Sequence, residues 1–511
     1  MRLIIYEPSI EVFDYLMKNI RVCDILREKN TILLVKGMNE KNLYGILDTL
    51  LSWENVDFSL LLSHPQYNKI FEEEYRDYAE SVEEAQKQIR IRRNTTGYFG
   101  KDIVENLMNN LQYLREAQLL EQYVGKFGAD IPAIIVAAGP SLDLNVEKLK
   151  EAVGKAVIIA TDTAMRELIQ HKIRPDFIIT VDPKKPSEYL CQEECKDIPI
   201  ICDGVSNHKI LKQHQGKKIF MELSEFGEGL YPPRFAGERK LGRGGSVATA
   251  AFSVCVFMDI RKIILVGQDL AYRNGSSHAG GRLDGEEIHG NWLVEVEDIY
   301  GNRIKTRHEW YVYLLWFEDA VERVKKKRTI IDATEGGAKI KGTRIMTLEK
   351  AVKEFCQRSI DCKALTESLG NAYTEEEYRQ VIGFMEKAIS DNDKSIHEIK
   401  QLLTKINRVI DLCEKKQRNS EYRKLTKDLL RIGAEIEQRP VYRLAEAWCA
   451  DSVFTNLSGV NHVNDDVEAD EIELYRATLG FYKELLQAFI EIQPYIQSAL
   501  KKMKIKEDLL C

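Results

Sequence analysis

The fold is decided by the segment Ile131-Pro132-Ala133-Ile134-Ile135-Val136-Ala137-Ala138-Gly139-Pro140-Ser141-Leu142. An unbroken apolar run that ends at Gly139 and Pro140 is typical of a strand buried on both faces of a parallel sheet. Pro140 stops the strand, and Gly139 lets another group approach the backbone closely. Ser141 or Asp143 can cap the helix that follows, whose first N–H groups suit an anion. The segment predicts either the opening strand of a ligand-binding α/β domain or a buried strand with a tight turn.

Short apolar strands alternate with helices on both sides of this segment, across residues 126–350. We predict strands at 133–138, 156–161, 176–181, 199–202, 217–222 and 262–266, and helices near 145–153, 164–171, 207–214 and 246–259. Strand–helix alternation predicts an α/β fold with a central, doubly wound and mostly parallel sheet. Ligands of such sheets bind beyond the carboxyl ends of the strands.

The residues before this region, 1–125, predict a small N-terminal α/β domain. Its predicted elements are strands at 3–6, 31–35 and 59–62, helices around 12–20 and 43–50, and two long polar helices at 67–92 and 103–123. A nucleotide-binding unit of this kind places a glycine-rich loop after its first strand, and residues 7–8 are Glu-Pro instead. We therefore interpret this domain as structural or as an interaction domain.

The residues after it, 351–511, predict a C-terminal α-helical domain. Thr374 and Glu377 have the spacing of a capping box at a helix start. Apolar residues recur every three or four positions from Ile396 to Cys413 and again from Tyr475 to Phe489. We interpret these stripes as helix core.

Length, composition and charge limit the classes of protein to which the chain can belong. The chain has 511 residues with a net charge of −7 and is 44% hydrophobic and 30% charged. This length is typical of roughly three domains, and the charge argues against a general nucleic-acid or membrane-surface binder. The apolar runs are too short to cross a bilayer, and the N-terminus does not have the pattern of a signal peptide. The predicted location is therefore cytoplasmic.

The 10 cysteines are scattered, and none occurs as Cys-x-x-Cys. Metal sites need cysteine or histidine partners at characteristic spacings, which this sequence does not offer. We predict reduced, mostly buried thiols and no bound metal.

Five polar segments follow predicted strands and should meet at one edge of the sheet. They are Gly139-Pro140-Ser141, Ala160-Thr161-Asp162-Thr163, Thr180-Val181-Asp182-Pro183, Gly242-Arg243-Gly244-Gly245-Ser246 and Gly267-Gln268-Asp269-Leu270-Ala271-Tyr272. Taken singly, an aspartate after a strand most often caps a helix or turn. The glycine loop has neither the lysine of a P-loop nor the dinucleotide pattern, yet Gly-Gly-Ser before a helix can form an anion nest. Their shared position favours a nucleotide site.

Two histidines and one further segment are candidates for the same edge. His278 lies in a Gly/Ser loop, so it is either a surface histidine or an acid, base or hydrogen-bond donor near neutral pH. His308 precedes an aromatic helix and is a weaker candidate for this edge of the sheet. Thr334 and Glu335 lie in the glycine-rich segment 331–343, which is too elaborate for a plain turn.

At these residues the chain resembles the motility-associated factor (Maf) family of bacterial flagellin glycosyltransferases. The resemblance rests on five motifs in order across residues 130–345: Gly139-Pro140-Ser141-Leu142, Asp182-Pro183, Gly244-Gly245-Ser246-Val247-Ala248-Thr249, Gly267-Gln268-Asp269-Leu270-Ala271-Tyr272 and Ala333-Thr334-Glu335-Gly336-Gly337-Ala338. The glycine segment that usually precedes the first strand of the head is absent, so the resemblance implies a shortened start.

The Maf centre is in turn similar to bacterial sialyltransferases that use CMP-activated sugars. One such family has the motif Gly-x-Asp-Phe-Tyr-Asn-Gly-Ser-Ser-Tyr. Residues 267–271 and 274–278 are comparable to its two halves, with an insertion between them. By this resemblance His278 replaces the final tyrosine, which steadies the leaving phosphate. His308 is the candidate for the catalytic histidine of those enzymes, which lies just before a later helix.

The resemblance implies transfer of a nonulosonic acid, a sialic-acid-like sugar, from a CMP donor to Ser or Thr of flagellin. Asp269, His278 and His308 would be the catalytic residues. The donor-binding residues would be Gly139, Pro140, Ser141, Thr161, Asp162, Asp182, Gly244, Gly245, Ser246, Gly267, Gln268, Thr334 and Glu335. No cofactor or metal is expected beyond the nucleotide sugar.

Two alternatives stay open. The central domain also resembles archaeal pterin pyrophosphokinases, which move diphosphate from ATP to a hydroxymethylpterin but need carboxylates for Mg²⁺ and lack the long helical tail. The third alternative is a non-catalytic flagellin chaperone that kept the fold.

Overall fold

The computed structural model describes residues 3–19, 31–39, 46–47, 50–51, 56, 59–222, 230, 241–242, 244–273, 276–280, 293–457 and 467–508. The chain divides into two compact units, Met1–Tyr98 and Phe99–Cys511. The division into three domains at 125 and 350 stays a prediction.

The first unit contains two of the predicted strands. β1 (Leu3–Glu7) and β2 (Thr31–Val35) pair in parallel, and α1 (Ile10–Asn19) lies between them in the chain. The helix predicted at 43–50 lies largely outside the described residues. The strand predicted at 59–62 is wrong, since these residues have no regular structure and Leu60 and Leu62 are 78% and 79% exposed. An apolar run forms a strand only where a neighbouring strand takes its backbone hydrogen bonds.

The prediction of two separate long polar helices at 67–92 and 103–123 is also wrong. After the short helix α2 (Tyr67–Ile70), a single helix, α3, runs from Glu72 to Asn110. The helix passes through Gly100 without a break, because this glycine packs against another backbone: a Cβ there would lie 1.9 Å from the carbonyl oxygen of Ala447. The predicted end of the second helix is replaced by short 3-10 turns around strand β3 (Gln118–Leu119).

The second unit is built on the predicted sheet. Its strands besides β3 are β4 (Ala133–Val136), β5 (Val157–Thr161), β6 (Phe177–Thr180), β7 (Ile200–Asp203), β8 (Lys218–Glu222), β9 (Lys262–Val266), β12 (Thr329–Asp332) and β13 (Arg344–Ile345). Among the described residues these nine strands pair in parallel, in the order β13-β12-β9-β4-β5-β6-β7-β8-β3. The α/β class and the doubly wound parallel sheet are confirmed.

Helices precede or follow these strands. They are α4 (Leu142–Asn145), α5 (Met165–Gln170), α6 (Glu193–Lys196), α7 (His208–Gln213), α8 (Val247–Phe257), α9 (His308–Val324), α10 (Leu348–Phe355) and α11 (Cys362–Ser368). Those predicted at 164–171, 207–214 and 246–259 are close to observed helices, whereas the helix predicted at 145–153 is mostly a 3-10 helix, Val146–Glu151. An antiparallel hairpin of β10 (Leu293–Glu297) and β11 (Arg303–Arg307), absent from our prediction, leads into α9. The core lies between the sheet and α8 and α9, where Phe252 and Phe317 meet edge to face at 5.7 Å.

The C-terminal part is helical, as predicted. It consists of α12 (Glu375–Glu414), α13 (Ser420–Glu437), α14 (Pro440–Leu457) and α15 (Val467–Asp508). The predicted capping box is present, because Thr374 Oγ1 accepts from the Glu377 N–H at 3.2 Å and the Glu377 carboxylate accepts from the Thr374 N–H at 2.8 Å. The α12 stripe includes Ile399 and Ile406, both fully buried.

The strand order places one crevice at the centre of the sheet. From β4 the chain steps outward through β5, β6, β7 and β8, and then returns to the other side of β4 with β9. Strand order therefore reverses at β4. At such a switch point the loops beyond the carboxyl ends turn away from each other and leave room for a ligand.

Candidate functional site

A cavity opens at this switch point, beyond the carboxyl ends of β4, β5 and β9. We call it the switch-point cavity. It is lined by residues 137–139, 161–163, 246–248, 267–271 and 277–278, with Trp310 and Tyr313. Four of the five predicted strand-end segments contribute to its wall.

Asp269 holds two of these segments together. Its carboxylate accepts from the Ser141 hydroxyl at 2.7 Å and from the Ser141 N–H at 3.2 Å. The carboxylate is buried so tightly against the turn that a Cβ on Gly139 would lie 2.0 Å from Oδ2. Burial raises the pKa of Asp269 from 3.8 to about 6. The next residue, Leu270, has φ +50°, a conformation that costs a branched residue energy and is kept only where its surroundings enforce it.

Asp162 is also fixed by protein groups. It is 1% exposed, accepts from Thr180 Oγ1 at 2.9 Å and from the Thr163 N–H at 2.7 Å, and pairs with Lys185 at 3.0 Å. The Lys185 ammonium also donates to Thr163 Oγ1 at 2.7 Å and lies over the Tyr189 ring. This buried ion pair orders the wall after β5.

The first turn of α8 faces the cavity. Ser246 is its N-cap: its hydroxyl accepts from the Thr249 N–H, and the Thr249 hydroxyl accepts from the Ser246 N–H at 3.1 Å. The capping box therefore occupies the Ser246 N–H. The N–H groups of Val247 and Ala248 lie in the first turn of the helix, where no carbonyl of the same helix can accept from them. Both residues line the cavity. These two N–H groups can bind an anion.

The glycine loop before α8 packs on the aromatic face of α9. A Cβ on Gly244 would lie 2.6 Å from Trp316, and a Cβ on Gly245 would lie 3.2 Å from the Tyr313 ring. Gly245 also has φ +81°, which glycine adopts without strain. Gly244 and Gly245 thus position α8 rather than line the cavity themselves.

His278 lines the cavity, and His308 does not. The His278 ring lies 3.1 Å from Ser277 Oγ, and the following residue is tied to the β4 turn because the Ala279 N–H donates to the Ala138 carbonyl at 2.9 Å. His308 is the first residue of α9, whose next turn supplies Trp310 and Tyr313 to the cavity.

Thr334 and Glu335 lie behind the cavity. The Thr334 hydroxyl accepts from the Gln268 N–H at 3.4 Å. Glu335 Oε1 accepts from Asn145 Nδ2 at 3.1 Å and from the Leu348 N–H at 2.9 Å, so this carboxylate supports the start of α10. Both residues shape the loop that backs Gln268.

The structure brings eight predicted site residues to the cavity wall: Gly139, Thr161, Asp162, Ser246, Gly267, Gln268, Asp269 and His278. Eight others lie outside the lining: Pro140, Ser141, Asp182, Gly244, Gly245, His308, Thr334 and Glu335. Asp182 closes a turn by accepting from the Lys184 N–H at 2.8 Å.

Val247, Ala248, Trp310 and Tyr313 line the cavity and Lys185 supports its wall, and none of these five is among the predicted site residues. Thr163 also lines it and lies in a predicted strand-end segment without being a predicted site residue. The aromatic pair lies on the predicted aromatic helix after His308, where the sequence does not distinguish a cavity residue from a core residue. Lys185 lies in a proline-flanked turn after β6 and carried no signal in the sequence.

Other features of the described residues bear on the sequence predictions. Eight cysteines lie in the described part of the chain, all as free thiols, and Cys191 alone among them is exposed. The described residues contain no group of three or more histidine, cysteine or acidic side chains arranged to hold a metal ion. In the same part of the chain, no helix is long and apolar enough to cross a membrane.

Comparison with known proteins agrees with this architecture. A family model described as 6-hydroxymethylpterin diphosphokinase MptE-like matches residues 105–275. An uncharacterized protein of Treponema pallidum (strain Nichols) is 34% identical over 106 residues, which cover 21% of this chain and 49% of that protein. The chain thus spans about half the length of this relative.

The comparison of structures extends over nearly the whole chain. The Maf glycosyltransferase of Magnetospirillum magneticum AMB-1 matches with a TM-score of 0.62 and 15% identity, over 99% of this chain and 78% of that one. The predicted resemblance is therefore confirmed at the level of the fold: the chain has the fold of that Maf glycosyltransferase.

Proposed function

We propose that this protein is a glycosyltransferase whose nucleotide-sugar donor binds in the switch-point cavity. The observation that carries the proposal is the position of the α8 N-terminus in the wall of this cavity. The N–H groups of Val247 and Ala248 would bind the donor phosphate, and the His278 ring lines the same cavity. The fold of the Maf glycosyltransferase supports the same class of reaction.

The proposed donor is a CMP-activated nonulosonic acid, and the proposed acceptor is a Ser or Thr hydroxyl of flagellin. Both follow from the motif resemblance of residues 139–338. In this reaction the acceptor oxygen forms a bond to the anomeric carbon, the bond from that carbon to the phosphate oxygen breaks, and CMP leaves with the electron pair. The acceptor proton passes to a base.

The leaving group carries a phosphate of low pKa, so it needs charge stabilisation more than a strong acid. Helix N–H groups and a histidine hydrogen bond supply such stabilisation. The base is proposed to be His308 or Asp269: Asp269 lines the cavity but already accepts from Ser141, and His308 lies outside the lining at the start of α9. Asp162 and Asp182 are proposed to hold the ribose or base of the donor through hydrogen bonds. Lys185 orients the Asp162 carboxylate for this role.

A transfer assay with a matched set of variants tests the proposal. The purified protein is incubated with flagellin and CMP-activated nonulosonic acids, and the intact mass of flagellin is measured. We expect a mass gain of one nonulosonic acid residue or a multiple, which falls in His278→Ala and stays unchanged in His171→Ala, whose ring pairs with Glu147 on the surface. An unchanged flagellin mass with every nucleotide sugar would refute the proposal. Flagellin binding without transfer would instead indicate a chaperone.

A further inference from the structure

The aromatic residue Tyr313 combines three properties that the proposed function does not use. It lines the switch-point cavity, it lies on α9 rather than on a strand end, and its hydroxyl makes no hydrogen bond with any residue that the structure describes. A phenol half-enclosed by protein usually finds a partner. A ligand bound in the cavity can supply that partner.

The ring of Tyr313 is oriented by its contact with Gly245. A Cβ built on Gly245 lies 3.2 Å from ring carbon Cε1 but 4.0 Å from Cδ1. No other atom of the ring and not the hydroxyl oxygen lies within 4 Å, so the ring meets the glycine loop along its Cδ1–Cε1 edge. Val247, the first residue of α8, lies two positions further along this loop. The Tyr313 ring and the first N–H groups of α8 therefore line the same part of the cavity wall.

A second, independent observation indicates that this cavity takes a polar ligand. Gln268 is only 6% exposed and lines the same cavity. Its Oε1 atom is buried and has no hydrogen-bond partner among the described residues. A buried polar atom without a partner is costly and is retained where water or a ligand satisfies the group.

We propose that the Tyr313 hydroxyl donates a hydrogen bond to the phosphate of the bound nucleotide, beside the N–H groups of Val247 and Ala248. This inference rests on the proposed function and adds a substrate-binding residue to it. Burial raises the pKa of the Tyr313 phenol, and the nearby acids Glu309 and Asp182 act in the same direction while Arg307 opposes them. The phenol therefore keeps its proton at neutral pH, as a donor to an anion must.

The test compares two ligands that differ only in the phosphate. Binding of CMP and of cytidine is measured by calorimetry for the wild type, for Tyr313→Phe and for Tyr311→Phe. The first variant keeps the ring contact with Gly245 and removes only the hydroxyl, and the second removes a hydroxyl from the same helix at a residue outside the cavity lining. A lost hydrogen bond to a charged group weakens binding about 10- to 100-fold. We expect this loss for CMP with Tyr313→Phe, and unchanged cytidine affinity in all three proteins.

Three results would overturn the inference. The first is Tyr313→Phe binding CMP as tightly as the wild type does. The second is an equal loss of CMP and cytidine affinity, which would place the hydroxyl away from the phosphate. The third is a wild type that neither binds CMP nor modifies flagellin, and this result alone also refutes the proposed function. Matching melting temperatures of the three proteins confirm that the variants fold.

Discussion

The Ser141 hydroxyl donates to Asp269 Oδ2 at 2.7 Å, and the Ser141 N–H lies 3.2 Å from both oxygens of the same carboxylate. These two residues follow β4 and β9, the neighbouring strands at which the sheet reverses its order. The pair therefore joins the two loops that form the floor of the switch-point cavity. Asp269, which the sequence suggested as a catalytic group, has the contacts of a positioning residue.

A double-mutant cycle tests this pairing. Ser141→Ala removes the hydroxyl donor, and Asp269→Ala removes the carboxylate that accepts from it. We expect each single variant to lower the free energy of unfolding by about 1–3 kcal/mol, since each leaves a buried group without its partner. The double variant should cost less than the sum, as measured by urea denaturation. Additive losses would mean that the two side chains are not coupled.

Gly139→Ala should destabilise the fold at the cavity floor that Ser141 and Asp269 form, because the new methyl group would collide with buried atoms. The new Cβ would lie 2.0 Å from Asp269 Oδ2 and 2.4 Å from the Gly267 carbonyl oxygen. Because one of these atoms belongs to the backbone, we expect a loss of about 3 kcal/mol in the free energy of unfolding.

The control for that variant is Gly383→Ala in α12, where no atom lies within 4 Å of the new Cβ. Alanine in an exposed helix position should leave stability unchanged or raise it by up to about 1 kcal/mol relative to glycine. Equal destabilisation by both substitutions would contradict the assigned role of Gly139.

Lys185→Met should be strongly destabilising. It leaves Asp162, which is 1% exposed, without the ammonium that lies 3.0 Å away. Removing one partner of a buried ion pair costs about 3–5 kcal/mol. The matched variant is Lys150→Met. Because the Lys150–Glu147 pair lies on the surface, its loss should lower the free energy of unfolding by less than about 1 kcal/mol. Thermal unfolding that shifts equally in both variants would show that the Asp162 pair is not needed.

Asp332→Asn should change the pH dependence of stability. Burial raises the pKa of Asp332 from 3.8 to about 6, so between these values the folded state keeps a proton that the unfolded state has lost. The stabilisation from this group is full below its unfolded pKa and is lost as the pH rises through about 6.

The amide side chain of the Asp332→Asn variant does not titrate in this pH range. Relative to the wild type, its free energy of unfolding should therefore rise by about 2–3 kcal/mol between about pH 4 and pH 7.5. Asp176 shifts in the same direction and is present in both proteins, so its effect cancels in the comparison. Asp269 is also present in both, but the Asp332 charge is the smallest of the causes that raise its pKa, and the variant removes that contribution. Parallel stability curves for the two proteins would refute the assignment.

The sequence was most informative where a local pattern determines the structure. A strand buried on both faces needs a continuous apolar run, so β4, β5, β6 and β9 could be placed from their residues alone. The polar residues at their ends then had to meet at one edge of the sheet. Eight of the sixteen predicted site residues accordingly line one cavity.

The remaining features depend on tertiary contacts that no local pattern encodes. β3 and β13 have two residues each and exist because a neighbouring strand takes their hydrogen bonds. Gly100 stays in a helix because it packs against Ala447, whereas an isolated glycine predicts a helix end. Tyr313 belongs to an aromatic stripe that is indistinguishable in sequence from core residues, and only the packing of α9 on the glycine loop brings it to the cavity.

The central claim is that the nucleotide phosphate binds at the start of α8 in the switch-point cavity. A crystal structure of the protein with bound CMP tests this claim most directly. The account predicts the phosphate within about 3 Å of the Val247 and Ala248 nitrogens, with the Tyr313 hydroxyl as a further donor. A nucleotide bound at another site, or bound in the cavity with its phosphate directed away from α8, would contradict it.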